Sequence, residues 1–506
     1  MELARAVTAA LDRLQAAGRV EVRENGAWLA ALEDFRYELR QKNEFLLLHL
    51  WSAESNVVRH VLRVENDADG RLALEVSRFG RTKSDRLEFL GAAKIPARGR
   101  ILREQFCARF RDLLARQFPD GKLISLTAAA DLEHSLSGNY ARGILQEGSL
   151  AWAVLGAAPG ENAITYDGLL TFGLIWLDRA RQIARGKPVV GLRLFCPVES
   201  GRVTARRLQA LSKSIAAEIY EYDDSNWRAR KLDPSDCGNV ESWLVPRREI
   251  DALVNDAHAA VQQFCVAAAS AITASVIPHT RDVALRYRGL LFAEWRAGSI
   301  FYGIGDARRP LTPDRRADFE KLLRELEASR SPVASDTKHP LFRAQPERWL
   351  ESLIAEDPTR VDARLDPRFF YEQLPALAAG DRGVMDAVAV TKDGRLAVVE
   401  LKASEDVQLP LQAIDYWLRV RWHHAQQDFG RYGYFTAIEL DSRPPLLFLV
   451  APALHFHPAS DVILKCLSPE IEVYRVGVNE HWRRGVRVVL RQGRTSIPNI
   501  LKMKRA

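Results

Sequence analysis

The sequence predicts a mixed α/β (α+β) protein of several domains, and three observations carry that expectation. The stretch RGVMDAVAVTKDGRLAVVELKAS holds two alternating apolar runs, Val384 to Val390 and Arg395 to Leu401, around Thr391-Lys392-Asp393-Gly394. A Lys-Asp-Gly turn between such runs is a strong hairpin signal. The order helix, three strands, helix, strand can be read twice along the chain, once near residues 100–225 and again near 339–480. Finally, 506 residues with 47% hydrophobic content can bury several cores, and length alone suggests about three domains.

Taken in order, residues 1–98 open with a helix, Leu3 to Ala17. They continue through WLAALEDFRYELRQKN and FLLLHLW into a hairpin around Asp67-Ala68-Asp69-Gly70. Helices followed by a charged β-ribbon suit a winged-helix-like DNA reader or a plain α+β interaction domain. Residues 99–225 form the first copy of the repeated order. The middle region, 226–338, reads as a long helix from Ile250 to Ala274, strands in DVALRYRGLLFAEW and SIFYGIG, and a charged helix from Pro313 to Ser329. Arg286 and Arg288 alternate there, either toward phosphates or as protection of an edge strand. The polar stretch Ala328 to Pro340 reads as a linker into the second copy, 339–480, and a basic tail, 481–506, closes the chain.

Candidate chemistry concentrates on the second hairpin. Its two acids, Asp386 and Glu400, are expected to face each other across it. Glu400 and Lys402 share one strand face by the period-two alternation, while Val399 and Leu401 take the other. Burying such charges is costly, so a site must justify it. Hard carboxylate oxygens from Asp386 and Glu400 suit Mg²⁺ or Mn²⁺, and Lys402 suits a water or a scissile phosphate where negative charge develops.

These residues resemble the PD-(D/E)xK nuclease superfamily, with Asp386 as its aspartate and Glu400-Leu401-Lys402 as its ExK; the resemblance spans about Leu341 to Val478. It implies a restriction-endonuclease-like α-β-β-β-α-β core and a Mg-dependent deoxyribonuclease. In PERWLESLIAEDP, an amphipathic helix opened by Pro346, Glu347 and Glu351 lie one turn apart. The resemblance implies a further metal carboxylate from this helix, for which Glu347 is preferred. Downstream, Gln412-Ala413-Ile414-Asp415-Tyr416 matches the QxxxY helix of the branch that looks like RecB-type and phage-exonuclease-type nucleases. A spacing of four puts Gln412 and Tyr416 on one helix face, where an amide and a phenol can orient the site. The implied catalytic set is thus Asp386, Glu400, Lys402, Glu347, Gln412 and Tyr416.

The first copy, NYARGILQEGSLAWAVLGAAP, echoes the second, and Trp176 stands opposite Trp417 in the helices that follow. Gln146 aligns with Asp386, and Val154 and Gly156 with Glu400 and Lys402, so this copy is expected to be degenerate and to bind no metal.

Net charge is +7, with eight basic residues and no acid from His481 onward, which leaves 64 basic against 65 acidic residues elsewhere. Arg483, Arg484, Arg487 and Arg491 are therefore candidates for contact with a DNA backbone. Five scattered cysteines without a CxxC pair indicate neither a zinc site nor a disulfide framework. No Walker-type loop is present, so motor action would belong to a separate helicase chain. The start, MELARAV, does not read as a secretory signal, and the longest apolar run, Phe264 to Ile277, is too short to span a bilayer. A cytoplasmic DNA nuclease in repair or in defence against foreign DNA follows, acting alone, as a homodimer or with a helicase or defence partner. A noncatalytic DNA-binding scaffold and a signal-gated effector nuclease remain as alternatives.

Overall fold

The structure, a computed structural model, describes residues 2–16, 20–24, 27–31, 36–42, 45–51, 56–68, 70–77, 84–91, 97–129, 131, 134–184, 186–235, 242–262, 264, 271–277, 280–305, 308–378 and 384–493. It is a mixed α+β protein with four sheets. The chain forms two compact units. Met1–Gly99, Val245–Asp357 and His481–Val486 make the first, and Arg100–Leu244, Pro358–Glu480 and Arg487–Ala506 the second.

The first unit opens with α1 (Glu2–Ala16), whose Val7, Ala10, Leu11 and Leu14 recur at helical spacing and are buried. They pack on a seven-stranded sheet of β1 (Val20–Glu24), β2 (Ala27–Ala31), β3 (Arg36–Lys42), β4 (Phe45–Trp51), β5 (Asn56–Ala68), β6 (Arg71–Ser77) and β7 (Ser84–Gly91). All pairings are antiparallel, in the order β2-β1-β7-β6-β5-β4-β3. The expected hairpin is β5–β6, and Gly70 turns it with a left-handed φ of 73°. The winged-helix reading fails: Trp28 and the segment from Arg36 to Lys42 are in strands, and α1 is the one helix among the described residues before 92.

The second unit begins with α2 (Ala97–Gln117), β8 (Lys122–Thr127), β9 (Tyr140–Glu147), β10 (Leu150–Ala157), α3 (Ala163–Asp167), α4 (Leu169–Ile183), β11 (Val189–Pro197), α5 (Arg202–Leu208), β12 (Ala216–Asp223) and β13 (Arg228–Lys231). The sheet order is β13-β12-β11-β10-β9-β8. Strands β8, β9 and β10 pair antiparallel, β10, β11 and β12 parallel, and β13 closes antiparallel. Phe106, Phe110, Leu113 and Leu114 of α2 cover one face of this sheet, meeting Val154, Phe195 and Tyr220, while α4 packs against β10 and β11.

A short β14 (Ser242–Leu244) precedes the return to the first unit. There α6 (Arg247–Gln262) leads to a five-stranded antiparallel sheet of β15 (Ile272–Val276), β16 (Val283–Tyr287), β17 (Leu290–Arg296), β18 (Ser299–Tyr302) and β19 (Arg309–Pro310). The helix expected to run to Ala274 thus ends by Gln262. The β-branched Ile272, Thr273 and Val276 find a ladder partner in β16, and that tertiary pairing outweighs the helix signal of the alanines before them. Strand β16 is interior, so the edge-protection reading of Arg286 and Arg288 also fails. Arg286 donates to Ser275 Oγ at 2.6 Å, and Arg288 sits in a turn at φ 45°. Helices α7 (Arg316–Ser329), α8 (Pro340–Arg343) and α9 (Pro346–Glu356) complete this segment. Fully buried Arg330 ties them together: it donates to the carbonyls of Arg288, Leu341 and Ala344 and stacks 4.5 Å over Trp349. Burial without an acid partner, beside Arg483 and Arg288, lowers its pKa to about 9.

The chain then re-enters the second unit as β20 (Leu365–Ala378), β21 (Val384–Thr391), β22 (Leu396–Leu401), α10 (Leu409–Ala425), α11 (Asp428–Arg431), β23 (Leu446–Pro452), α12 (Ser460–Cys466), β24 (Val473–Val478) and β25 (Val488–Gly493). Its sheet is β14-β20-β21-β22-β23-β24-β25, and apart from the extra edge strand β14 it repeats the order of the six-stranded sheet β8-β9-β10-β11-β12-β13. Strands β20, β21 and β22 are antiparallel, β22, β23 and β24 parallel, and β25 antiparallel again.

The two halves of this unit meet about a pseudo-twofold. Leu211, after α5, pairs antiparallel with Leu467, after α12. Ser212 N–H donates to Cys466 O at 2.8 Å, and Ser468 N–H donates to Ala210 O at 2.7 Å. Helix α4 packs on α12 as α10 packs on α5. Each element thus meets the counterpart of its own partner, the pattern of an isologous interface.

Candidate active site

The second hairpin is set by its turn. Gly394 takes φ 86°, its N–H donates to Thr391 O at 2.9 Å, and Thr391 Oγ1 accepts from Arg395 N–H at 2.9 Å. A Cβ at Gly394 would lie 2.1 Å from Glu439 O, so only glycine fits. From this turn the ladder runs Val390 with Leu396 to Ala387 with Val399. Asp386 precedes Ala387 on β21 and Glu400 follows Val399 on β22, the last pair of this ladder; the side chain of Asp386 is outside the described groups.

Glu400 is 1% exposed, beside Leu449 of the parallel strand β23. Lys402 follows the end of β22, its N–H held by Val450 O at 2.9 Å. Its Nζ stands 3.8 Å from Glu400 Oε1 and 3.7 Å from Asp406 Oδ2, longer than a direct hydrogen bond. The site thus lies beyond the carboxyl ends of parallel strands, where α/β sheets present their crevices.

Asp406 was not singled out by the sequence. It accepts from Gln408 N–H at 2.7 Å, fixing the entry to α10 while facing Lys402. The histidines after β23 were missed as well. His455 Nδ1 lies 3.2 Å from Ala403 O, and His457 Nε2 lies 3.8 Å from Glu405. Burial lowers the pKa of His457 against the pull of Glu405 and Asp406, which favours the neutral ring. These histidines come from about fifty residues away, and no local pattern marks them.

Gln412 and Tyr416 lie on α10, which packs against β22 and β23. Both are half-buried, and Gln412 Oε1 is buried with no hydrogen-bond partner among the described residues. Asp415, between them, pairs with Arg207 of α5. At the far end of the helix, fully buried His423 meets Asp428 of α11 at 2.7 Å.

Other predicted residues fall elsewhere. Glu347 and Glu351 are on α9, which belongs to the first unit, whereas Asp386, Glu400 and Lys402 belong to the second. Glu351 is 3% exposed and pairs with Arg348 at 2.6 Å; Glu347 is half-buried. The four tail arginines are not alike. Arg483 stacks on Trp482 at 4.2 Å and also lies over Phe342 and Trp349, and desolvation lowers its pKa to about 10. Arg491 on β25 pairs with Asp362 and donates to Val361 O. Arg484 and Arg487 are exposed, and Arg494, Lys502, Lys504 and Arg505 lie outside the described residues.

In the first hairpin, β9 and β10 join through a two-residue turn and pair Glu147 with Leu150, so Val154 faces Gly143. Val154 and Glu400 are each the fifth residue of their strand. With Val154 set against Glu400, the residue that faces it, and so is set against Asp386, is Gly143. Gln146, the expected counterpart, lies near the turn, where it donates to Gly148 O at 2.8 Å; the alignment slips because the second turn is longer. Neither glycine leaves room. A Cβ on Gly143 would lie 2.3 Å from Ser125 O, and one on Gly156 would lie 2.8 Å from the Phe110 ring. Trp176 and Trp417 are both buried on the helix after the hairpin, but their indoles donate to different carbonyls, Gly143 O at 2.9 Å and Pro445 O at 2.7 Å.

No known protein family matches the chain, and no curated protein aligns with it. Among the described side chains, which do not include that of Asp386, no three acids, histidines or cysteines converge as a metal would need.

Proposed function

We propose that the second half of the second unit is a metal-dependent nuclease of the PD-(D/E)xK type, with a restriction-endonuclease-like core, that hydrolyses DNA phosphodiester bonds. The observation that carries this reading is a carboxylate only 1% exposed, Glu400, with Lys402 3.8 Å away at the carboxyl end of a parallel strand. Enclosing a carboxylate and a lysine together costs desolvation, which a bound cation and phosphate would offset. The donor set fits a hard divalent cation: Glu400 and Asp386 would hold Mg²⁺ or Mn²⁺ through carboxylate oxygens. Once bound, the ion supplies an activated water and neutralises charge on the phosphate.

The side chains around it have separate tasks. Lys402 places positive charge where negative charge develops on phosphorus, with Asp406 Oδ2 3.7 Å from its ammonium. Gln412 offers a buried amide oxygen that can orient a water or a donor, and Tyr416 shares its face of α10. No helix among the described residues is long and apolar enough to cross a membrane. Repair or defence in the cytoplasm, alone or with a helicase partner, is the setting we assign.

Labelled linear DNA and supercoiled circles, incubated with Mg²⁺ or Mn²⁺, test the reading. Cleavage by the wild-type chain that is lost in EDTA and in Glu400→Gln supports it. Undiminished cleavage in EDTA, or none under any of these conditions, ends it.

A further inference from the structure

We infer that Arg207, from the degenerate half, is a positioning residue for the active half: it holds α10 so that Gln412 and Tyr416 face the site. This rests on the nuclease reading. Arg207 is 3% exposed and grips Asp415 with both ends of its fork, Nε to Oδ1 at 2.9 Å and Nη2 to Oδ2 at 2.6 Å. Its remaining nitrogen, Nη1, donates to Asp167 O, which anchors the arginine on its own half. Asp415 lies between Gln412 and Tyr416 on α10. A second polar tie, from Thr171 Oγ1 to Gln408 Oε1 at 2.6 Å, meets the residue that caps the same helix.

The pseudo-twofold supplies the control. The reciprocal contact, α4 on α12, joins helices whose buried residues are mainly apolar, among them Leu174, Ile175, Ile463 and Leu464, with Thr171 and Ser460 as buried polar residues. The polar clamp occurs on the side whose helix carries Gln412 and Tyr416. A buried ion pair is a poor source of stability compared with apolar packing, but its planar fork fixes register and rotation in a way that leucine contacts do not. The degenerate half has kept its fold and its interface while its own hairpin face is closed by Gly143 and Gly156. A holder for α10 is the role those observations leave it.

The test is Arg207→Met combined with Asp415→Leu in the full chain, with Arg207→Lys beside it. Replacing both charges together leaves no buried charge alone, so the double variant should melt at or above the wild-type temperature. Its kcat on labelled DNA should fall about tenfold or more with KM within about twofold, because misplaced orienting groups cost turnover rather than binding. Amide exchange across residues 409–420 should quicken. Arg207→Lys, which keeps the charge and loses the fork, should fall between; should the double variant unfold, the lysine variant decides alone. Wild-type kcat in a folded variant overturns this inference and leaves the nuclease reading standing. Wild-type protein that cleaves nothing ends both.

Discussion

The two hairpins of the second unit share a sheet order and strand sense, yet one presents a buried acid beside a lysine and the other presents nothing reactive. At the three matched positions the active half has Asp386, Glu400 and Lys402, and the degenerate half has Gly143, Val154 and Gly156. The difference is more than lost chemistry. In the first half the Ser125 carbonyl and the Phe110 ring stand where a Cβ on Gly143 or Gly156 would have to go. Two copies of one strand order can therefore differ in whether the matched hairpin face carries charge or close packing.

The most damaging way to probe this comparison is to make the active hairpin resemble the degenerate one. Asp386→Ala and Glu400→Val should each abolish cleavage measured on labelled DNA, and Lys402→Ala should lower it at least about a hundredfold, as expected for one electrostatic stabiliser. DNA retention on a filter should survive all three. Full activity in Asp386→Ala would break the comparison at its centre.

The converse change sharpens it. Gly143→Asp with Val154→Glu and Gly156→Lys should create no nuclease and no metal site by titration calorimetry. It should instead destabilise the unit by several kcal/mol in denaturant unfolding, because each new Cβ meets backbone or a packed ring. Phe110→Ala should cost about 3 to 5 kcal/mol by the same measurement, as a large ring leaves the core.

Asp362, which precedes β20, ties the closing strand β25 through Arg491. Burial alone would raise the pKa of Asp362, but hydrogen bonds from Arg364 and Arg491 overcome that and bring it down to about 2. A depressed carboxyl stabilises the fold above its unfolded value, about 4, and that contribution is lost as pH falls through about 2. Asp362→Asn should remove roughly 2 kcal/mol at neutral pH and flatten the stability profile between those values. An unchanged acid profile would show that the pairing contributes nothing.

The smallest expected effects divide the tail arginines. Arg484→Ala with Arg487→Ala, both exposed, should weaken DNA binding and reduce its log-log salt slope by about two. Arg483→Ala should lower the melting temperature and leave the slope alone, because its guanidinium is occupied by three aromatic rings.

Much of this was legible along the chain. The hairpin at Thr391 to Gly394 announced itself by turn chemistry, and α1 and α9 by apolar spacing, because these depend on neighbours within a few residues. The repeat was legible as an order of elements and misaligned in detail: whether Gln146 or Gly143 faces Asp386 depends on turn length, which shifts a ladder by whole residues. Other assignments needed partners far away in sequence. Ile272 to Val276 became a strand because β16 lay beside it, and Arg286 sits on an interior strand for the same reason. Arg483 is a stacked core cation because Trp349 and Phe342 meet it from more than a hundred residues upstream. By itself the sequence placed Asp386, Glu400 and Lys402 on one hairpin and left the other without an acid pair or a lysine at the aligned positions. Only the tertiary structure decided that Asp406 faces Lys402, that Phe110 fills the empty half, and that Arg207 holds Asp415, since these contacts join segments whose spacing along the chain carries no periodicity to read.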